Sequence, residues 1–181
     1  MSSDQADRIL GLARSRPPTL GPGRLICVDG PAGSGKTTLA AGLAARASAP
    51  VVHMDDLYPG WDGLPLVDAQ LESLLRPLAE GEPGSYRRYD WHLAEFAETV
   101  TVPPADLLVV EGVGSGSSKV ADLVTVLVWV EAPHDLRMRR GIDRDGEAFA
   151  PYWEAWALAE DEVFARERTR DRADLIMDGT G

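Results

Sequence analysis

The chain has too little cysteine for a disulfide framework: Cys27 is the single cysteine, and it lies within an apolar run where a thiol behaves as a small buried hydrophobe. No apolar run approaches the roughly 20 residues of a membrane span. The first residues carry no secretory core, because Ile9-Leu10-Gly11-Leu12-Ala13 is bracketed by Arg8, Arg14 and Arg16. These absences predict a cytoplasmic protein with no membrane partner. Positive charge is also scarce, with 18 Lys and Arg against 29 Asp and Glu and a net charge of −11. That balance argues against a nucleic acid partner, since a duplex is bound through a basic face that releases counterions. Internal repeats, low-complexity tracts and inter-domain linkers are missing as well, so residues 1–181 are expected to form one domain around a single core. Whether it forms a homo-oligomer is left open.

What is present begins with Gly30-Pro31-Ala32-Gly33-Ser34-Gly35-Lys36-Thr37, which fits G-x-x-x-x-G-K-[ST] without gap or substitution. The apolar run Leu25-Ile26-Cys27-Val28 precedes it, and the helix-favouring Thr38-Leu39-Ala40-Ala41-Gly42-Leu43 follows. Strand, loop and helix are the context a phosphate-binding P-loop needs, rather than a glycine-rich turn that matches by chance. Gly30, Gly33 and Gly35 let backbone N–H groups converge on one concavity at a helix N-terminus. Gly30, Ala32, Gly33, Ser34, Gly35, Lys36, Thr37 and Thr38 are the expected contacts to a nucleoside triphosphate. Lys36 would serve the β- and γ-phosphates, and the Thr37 hydroxyl would ligate Mg²⁺.

Along the chain, residues 3–14 read as an amphipathic helix, and Pro17-Pro18 to Gly23 as a breaker, so 1–23 is an N-terminal helix and linker. Strands are expected at 24–29, 50–55, 98–102, 106–111, 123–131 and 175–177, and helices at 36–47, 67–80, 133–142 and 149–166. Residues 86–91 form an aromatic and basic segment with no assigned structure. Strands alternating with helices predict a three-layer α/β/α, doubly wound, mainly parallel sheet of the P-loop type, with ligands beyond the strand C-termini. The ends in question are Asp29-Gly30, Asp55, Glu111-Gly112 and Glu131.

A P-loop does not by itself separate a kinase from a switch GTPase or a motor. The guanine-reading N-K-x-D is absent, and neither the strand end at Asp55 nor that at Glu111 opens the D-x-x-G that a switch would require. Asp55-Asp56-Leu57-Tyr58 and Glu111-Gly112 instead end two apolar runs. One carboxylate facing the γ-phosphate can accept the proton of an attacking hydroxyl, and a second can hold Mg²⁺. Asp55 and Asp56 could also be a pair that opens a loop as a helix cap.

The chain resembles the uridine kinase-like branch of the P-loop nucleoside kinases, related to phosphoribulokinase and pantothenate kinase. The resemblance covers nearly everything after residue 24. Asp55-Asp56-Leu57-Tyr58 is similar to the family's D-x-F-Y, and Tyr89-Asp90-Trp91-His92 to its Y-D-F segment and histidine. Glu111 matches the acidic residue of its Walker-B-like strand. Arg137-Met138-Arg139-Arg140 with Arg144 matches its arginine-rich lid, and Ala173-Asp174-Leu175-Ile176 its terminal strand. The family places its histidine a few residues further on, and its typical members are longer. The resemblance implies a nucleoside or nucleotide kinase-like fold with a short helical lid at about 133–150. It further implies ATP as phosphoryl donor, Asp55 as general base, Thr37, Asp55 and Glu111 serving Mg²⁺, and Tyr89 lining the acceptor site.

The acceptor side can be read from the residues alone. No aromatic residue precedes Tyr58, yet Tyr58, Trp61, Tyr86, Tyr89 and Trp91 crowd the following positions. Rings suit a planar base or sugar, and the alternative is a satellite core. Tyr58, Tyr89, Trp91, His92 and Arg88 are the candidate substrate contacts beside Asp55, whereas His53, His134, Trp153 and Trp156 read as structural or packing residues. On a helix, Arg137, Arg140 and Arg144 share one face and Arg139 turns away. Arg140 and Arg144, then Arg137, are the candidates to reach the phosphates, the alternative being a solvated surface helix. The expected activity is transfer of the γ-phosphoryl of ATP to a hydroxyl of a small molecule, with a uridine- or cytidine-like nucleoside as the first candidate. A non-nucleoside alcohol kinase (sugar, vitamin or antibiotic) and a non-catalytic NTP-binding regulatory module are the alternatives.

Overall fold

Side-chain alternation sorts the layers. Along β1 (Arg24–Asp29), Leu25 and Cys27 enter one apolar cluster, and Ile26 and Val28 the other. Burial on both faces is what a central parallel strand requires. The computed structural model describes residues 3–146 and 150–180, and the side chains of all of these except 3, 144, 145 and 150.

One cluster lies beneath α1 (Ser3–Ser15) and α2 (Lys36–Ala47), which bury Ile9, Leu10, Leu39 and Leu43. The other lies beneath α3 (Asp68–Ala79), whose Leu71, Leu74, Leu75 and Leu78 recur at helical spacing, together with α5 (Ala150–Glu167). Between them runs a five-stranded parallel sheet. Its other strands are β2 (Val51–His53), β5 (Leu107–Glu111), β6 (Val126–Glu131) and β7 (Leu175–Asp178), in the order β2-β5-β1-β6-β7. The three-layer α/β/α sheet expected from the sequence is present. Helices α4 (His134–Asp145) and α6 (Thr169–Arg172) are the remaining α-helices among the described residues, and residues 147–149 of the lid segment lie outside them. Among the described residues, no helix is long and apolar enough to cross a membrane.

Several boundaries differ from the sequence reading. The segment at 86–91 belongs to β3 (Gly84–Asp90), which pairs antiparallel with β4 (Glu95–Val102) as a separate two-stranded sheet. Strand β4 starts before the expected 98 because this hairpin exposes one face. Glu95, Thr99 and Thr101 point outward on that face, and Glu98 on the other is exposed too, which dilutes the apolar signal. The strand expected from 50 to 55 ends at His53, and Met54–Asp56 forms a 3-10 turn. The strand expected from 123 starts at Val126, after a 3-10 turn over Ser118–Leu123.

The hairpin is seated on α3 through a glycine. A Cβ at Gly84 would fall 1.9 Å from the Leu74 carbonyl oxygen, in the middle of the α3 leucine stripe. Gly84→Ala should therefore lower the urea unfolding free energy by more than about 2 kcal/mol, as overpacking against backbone does. An unchanged unfolding midpoint would show that the hairpin slides on α3 without penalty.

Candidate active site

The phosphate end starts where β1 stops. Asp29 is fully buried and accepts N–H groups from Gly30 at 2.7 Å, Gly114 at 3.0 Å and Gly116 at 2.8 Å. Burial pushes its carboxyl up to about 6, against the opposing pull of these donors and of Lys36. Beyond it, Gly30 and Gly33 adopt φ of 133° and 75°. Any Cβ there would fall 2.1 Å from the Val130 carbonyl oxygen and 2.4 Å from that of Arg137. Only glycine admits both the backbone conformation and the close approach. The loop thereby folds as a nest at the N-terminus of α2, the geometry that fits a polyphosphate.

Lys36 Nζ donates to the Pro31 carbonyl at 2.9 Å, across its own loop. The Thr37 hydroxyl donates to Glu111, at 3.2 and 3.3 Å from its two oxygens, and His53 Nδ1 lies 2.6 Å from Glu111 Oε1. The bond to Glu111 raises the His53 pKa. Among the described residues, no group of three or more His, Cys, Asp or Glu could enclose a metal. The donors suit Mg²⁺ held by a hydroxyl, one or two carboxylates and phosphate oxygens, the way that ion is commonly bound.

Ala32, Gly33, Gly35, Lys36, Thr37, Thr38, Asp55, Glu111 and Arg140 line one cavity of about 1130 Å³, together with Asp56, Tyr58, Trp91 and His92. Asp55 and Asp56 sit side by side on the 3-10 turn in different environments. Asp56 is half-buried, bonded to Tyr86 and raised in pKa chiefly by burial, whereas Asp55 is exposed to the cavity. Trp91 Nε1 donates to the Asp55 carbonyl at 2.8 Å, so the hairpin fixes this turn. A second cavity of about 650 Å³ adjoins the first and is lined by Tyr89. Trp61, Trp91, Tyr152 and Trp156 are shared between the two. Trp61 stacks on Tyr152 with centroids 4.9 Å apart and planes within 3°.

Four expected contacts are placed differently. Tyr58 is fully buried and its hydroxyl donates to the Val113 carbonyl at 2.6 Å, so it offers the cavity a wall rather than a polar tip. Arg88 lines neither cavity and is held by Glu98 at 2.7 Å, the near carboxylate being its stronger attraction. Arg137 packs behind the loop, donating to the Ala32 carbonyl at 3.3 Å, and is absent from the lining. Ser34 is fully buried within the loop and lines neither cavity. Arg140 does line the cavity, with Nη1 2.8 Å from the Gly179 carbonyl oxygen and 3.3 Å from that of Gly33. Arg139 is exposed, as its helical position predicts, and the Arg144 side chain lies outside the described residues. Trp156, read as packing, proves to be cavity wall, and Tyr152 joins it. Glu160, which the sequence reading missed, accepts the Ala32 N–H at 2.8 Å. Its signal was the spacing Trp153, Trp156, Glu160, Val163, which puts a carboxylate inside an apolar helix stripe.

A P-loop nest, a carboxylate pair and an arginine-bearing helix at the C-terminal edge of a parallel sheet define a P-loop protein of the kinase fold. Residues 68–148 match the model of the Phosphoribulokinase / Uridine kinase family, and the resemblance read from the sequence is borne out. A cytidylate kinase of Methanococcoides burtonii is 27% identical over 128 residues, 69% of this chain and 65% of that protein. The chain thus spans just under two thirds of the length of that relative. Among solved structures, one described as a possible uridine kinase from Bacillus stearothermophilus superposes with a TM-score of 0.64 at 24% identity. It covers 97% of this chain and all of the other. A protein of Silicibacter sp. TM1040 named for a fructose transport system kinase gives 0.66 at 21% identity, over 98% and 99% of the two chains. These two share the fold.

Burial pushes the Glu160 carboxyl up to about 7, Asp29 having the same cause. Both folded-state values lie above the unfolded ones of 4.5 and 3.8, so the native state holds the extra protons. The stabilisation is complete below about pH 4 and is lost as pH rises through 6 and 7. The protein should therefore be more stable at pH 5.5 than at pH 8, by on the order of 2–3 kcal/mol, and Glu160→Gln should remove most of that slope. Thermal melts across this range check it, and a melting temperature that climbs towards pH 8 would contradict the assignment.

Proposed function

We propose that this chain is an ATP- and Mg²⁺-dependent phosphotransferase that moves the γ-phosphoryl group onto a hydroxyl of a small molecule, with a nucleoside as acceptor. One observation carries the reading: a single cavity joins the P-loop nest, Lys36, the Thr37–Glu111 pair and Asp55 to an aromatic end. Lys36 would leave Pro31 for the β- and γ-phosphates, and Arg140 would add a guanidinium where charge develops. Asp55 would take the proton of the acceptor hydroxyl. Thr37, Asp55 and Glu111 would hold Mg²⁺, which supplies neutralisation of phosphate charge when bound. Trp91, His92, Tyr89 and the buried wall of Tyr58 would receive a planar acceptor. Arg137 and Arg88 would act by supporting the loop and the hairpin.

The relative named a cytidylate kinase raises a phosphorylated acceptor as a second reading. Among the described residues lining the two cavities, Lys36 and Arg140 are the only lysine and arginine, and both stand at the P-loop end. An acceptor phosphate would meet Asp55, Asp56 and indoles instead, which favours an uncharged alcohol. A sugar, vitamin or antibiotic alcohol would satisfy the same chemistry. The single buried Cys27, its thiol pushed up by burial, agrees with a cytoplasmic setting. The net charge of −11 agrees with a small-molecule partner rather than nucleic acid or an anionic membrane.

ATP consumption measured with a panel of nucleosides, nucleoside monophosphates and other alcohols tests the proposal. Turnover that depends on an acceptor is expected, whereas acceptor-independent behaviour across the panel favours a regulatory nucleotide-binding module. With the active acceptor, Asp55→Asn should lower kcat by about 10²–10⁴ with nucleotide binding little changed. Lys36→Ala should abolish transfer in a folded protein. Loss on Asp56→Asn but not on Asp55→Asn would move the base to the neighbouring carboxylate.

A further inference from the structure

Glu160 sits where an ionised side chain is costly. It is 1% exposed on α5, in a stripe with buried Trp153, Trp156 and Val163. One oxygen, Oε1, accepts both the Ala32 N–H at 2.8 Å and the Trp156 indole N–H at 2.7 Å. The other, Oε2, lies 3.8 Å from Arg137, whose Nη1 also donates to the Ala32 carbonyl. The second residue after the first P-loop glycine is thus held at its N–H by α5 and at its carbonyl by α4. The indole bonded to Glu160 continues the path outward. Trp156 packs edge-on against Tyr58 at 5.1 Å and Trp61 at 5.9 Å, and it lines both cavities.

We infer that Glu160 is a positioning residue that holds the P-loop in its nucleotide-binding shape and sets it in register with the Trp156 wall of the acceptor end. The inference rests on reading the loop as a triphosphate site. Stability does not account for the carboxylate, because an apolar side chain would fill the stripe without desolvating a charge. No apolar side chain could accept N–H groups from two different elements on one atom. Without that acceptor the Ala32 peptide can reorient, and nucleotide affinity falls with the fraction of loops left in the competent shape.

The test is titration with MgADP, followed by calorimetry and tryptophan fluorescence, on the wild type, Glu160→Gln, Glu160→Leu and Trp156→Phe. Wild type should bind with a fluorescence change that disappears in Trp156→Phe, which assigns the signal to the wall indole. Glu160→Gln keeps an oxygen acceptor and should stay within about threefold of wild type with its signal intact. Glu160→Leu leaves two buried donors unmatched, so it should bind at least about tenfold more weakly and lose the Trp156 signal. A folded Glu160→Leu protein with wild-type affinity and signal overturns the inference alone. If that variant does not fold, a nucleotide-induced change that survives Trp156→Phe overturns it. A wild type that binds no MgADP defeats the triphosphate reading and this inference together.

Discussion

The buried carboxylate of Asp29 is the contact on which the site depends. It ends the central strand and accepts three backbone N–H groups, one from the P-loop and two from the loop after β5. Those two loops flank the phosphate end, and one anionic group makes them a single unit. The price is desolvation, visible in a carboxyl raised to about 6. Gly30 completes the arrangement, because β6 brings the Val130 carbonyl to a position that any side chain would occupy. Carboxylate and glycine together determine where the nest forms and which way it faces.

The other end of the cavity is held by rings rather than by charge. Trp61 meets Trp91 and Tyr152 at 4.9 Å each, and Trp156 at 5.9 Å. These contacts join the loop after β2, the hairpin and α5, elements distant in sequence. Trp91 also bonds the Asp55 main chain, so the hairpin sets the position of the turn that carries the carboxylates. The resulting polarity is simple. The cations Lys36 and Arg140 stand at the P-loop, carboxylates lie in the middle, and aromatic faces close the outer end. The net charge of −11 therefore does not describe the P-loop end, where the two cations of the lining are concentrated.

Much of this was legible in the residues. The P-loop, the strand that leads into it and α2 follow from local chemistry, since glycine spacing and apolar runs act over a few positions. The parallel sheet followed from the alternation of strands and helices. The hairpin was only half legible, because a two-stranded sheet with one solvated face alternates polar and apolar residues too weakly to mark its start. Glu111 and Asp55 could be nominated from their places at strand ends, yet their environments could not.

The sequence by itself determined that a phosphate-binding nest would form and that its partners would come from the C-terminal ends of neighbouring strands. Tertiary structure decided which of the nominated side chains face the cavity. Tyr58 and Arg88 turned to partners in the core and the hairpin, Arg137 passed behind the loop, and Trp156 and Tyr152 came forward as walls. It also brought Glu160 to Ala32 across 128 positions. Local sequence dictates backbone conformation over a few residues, whereas the orientation and ionisation of a side chain depend on neighbours that only packing supplies.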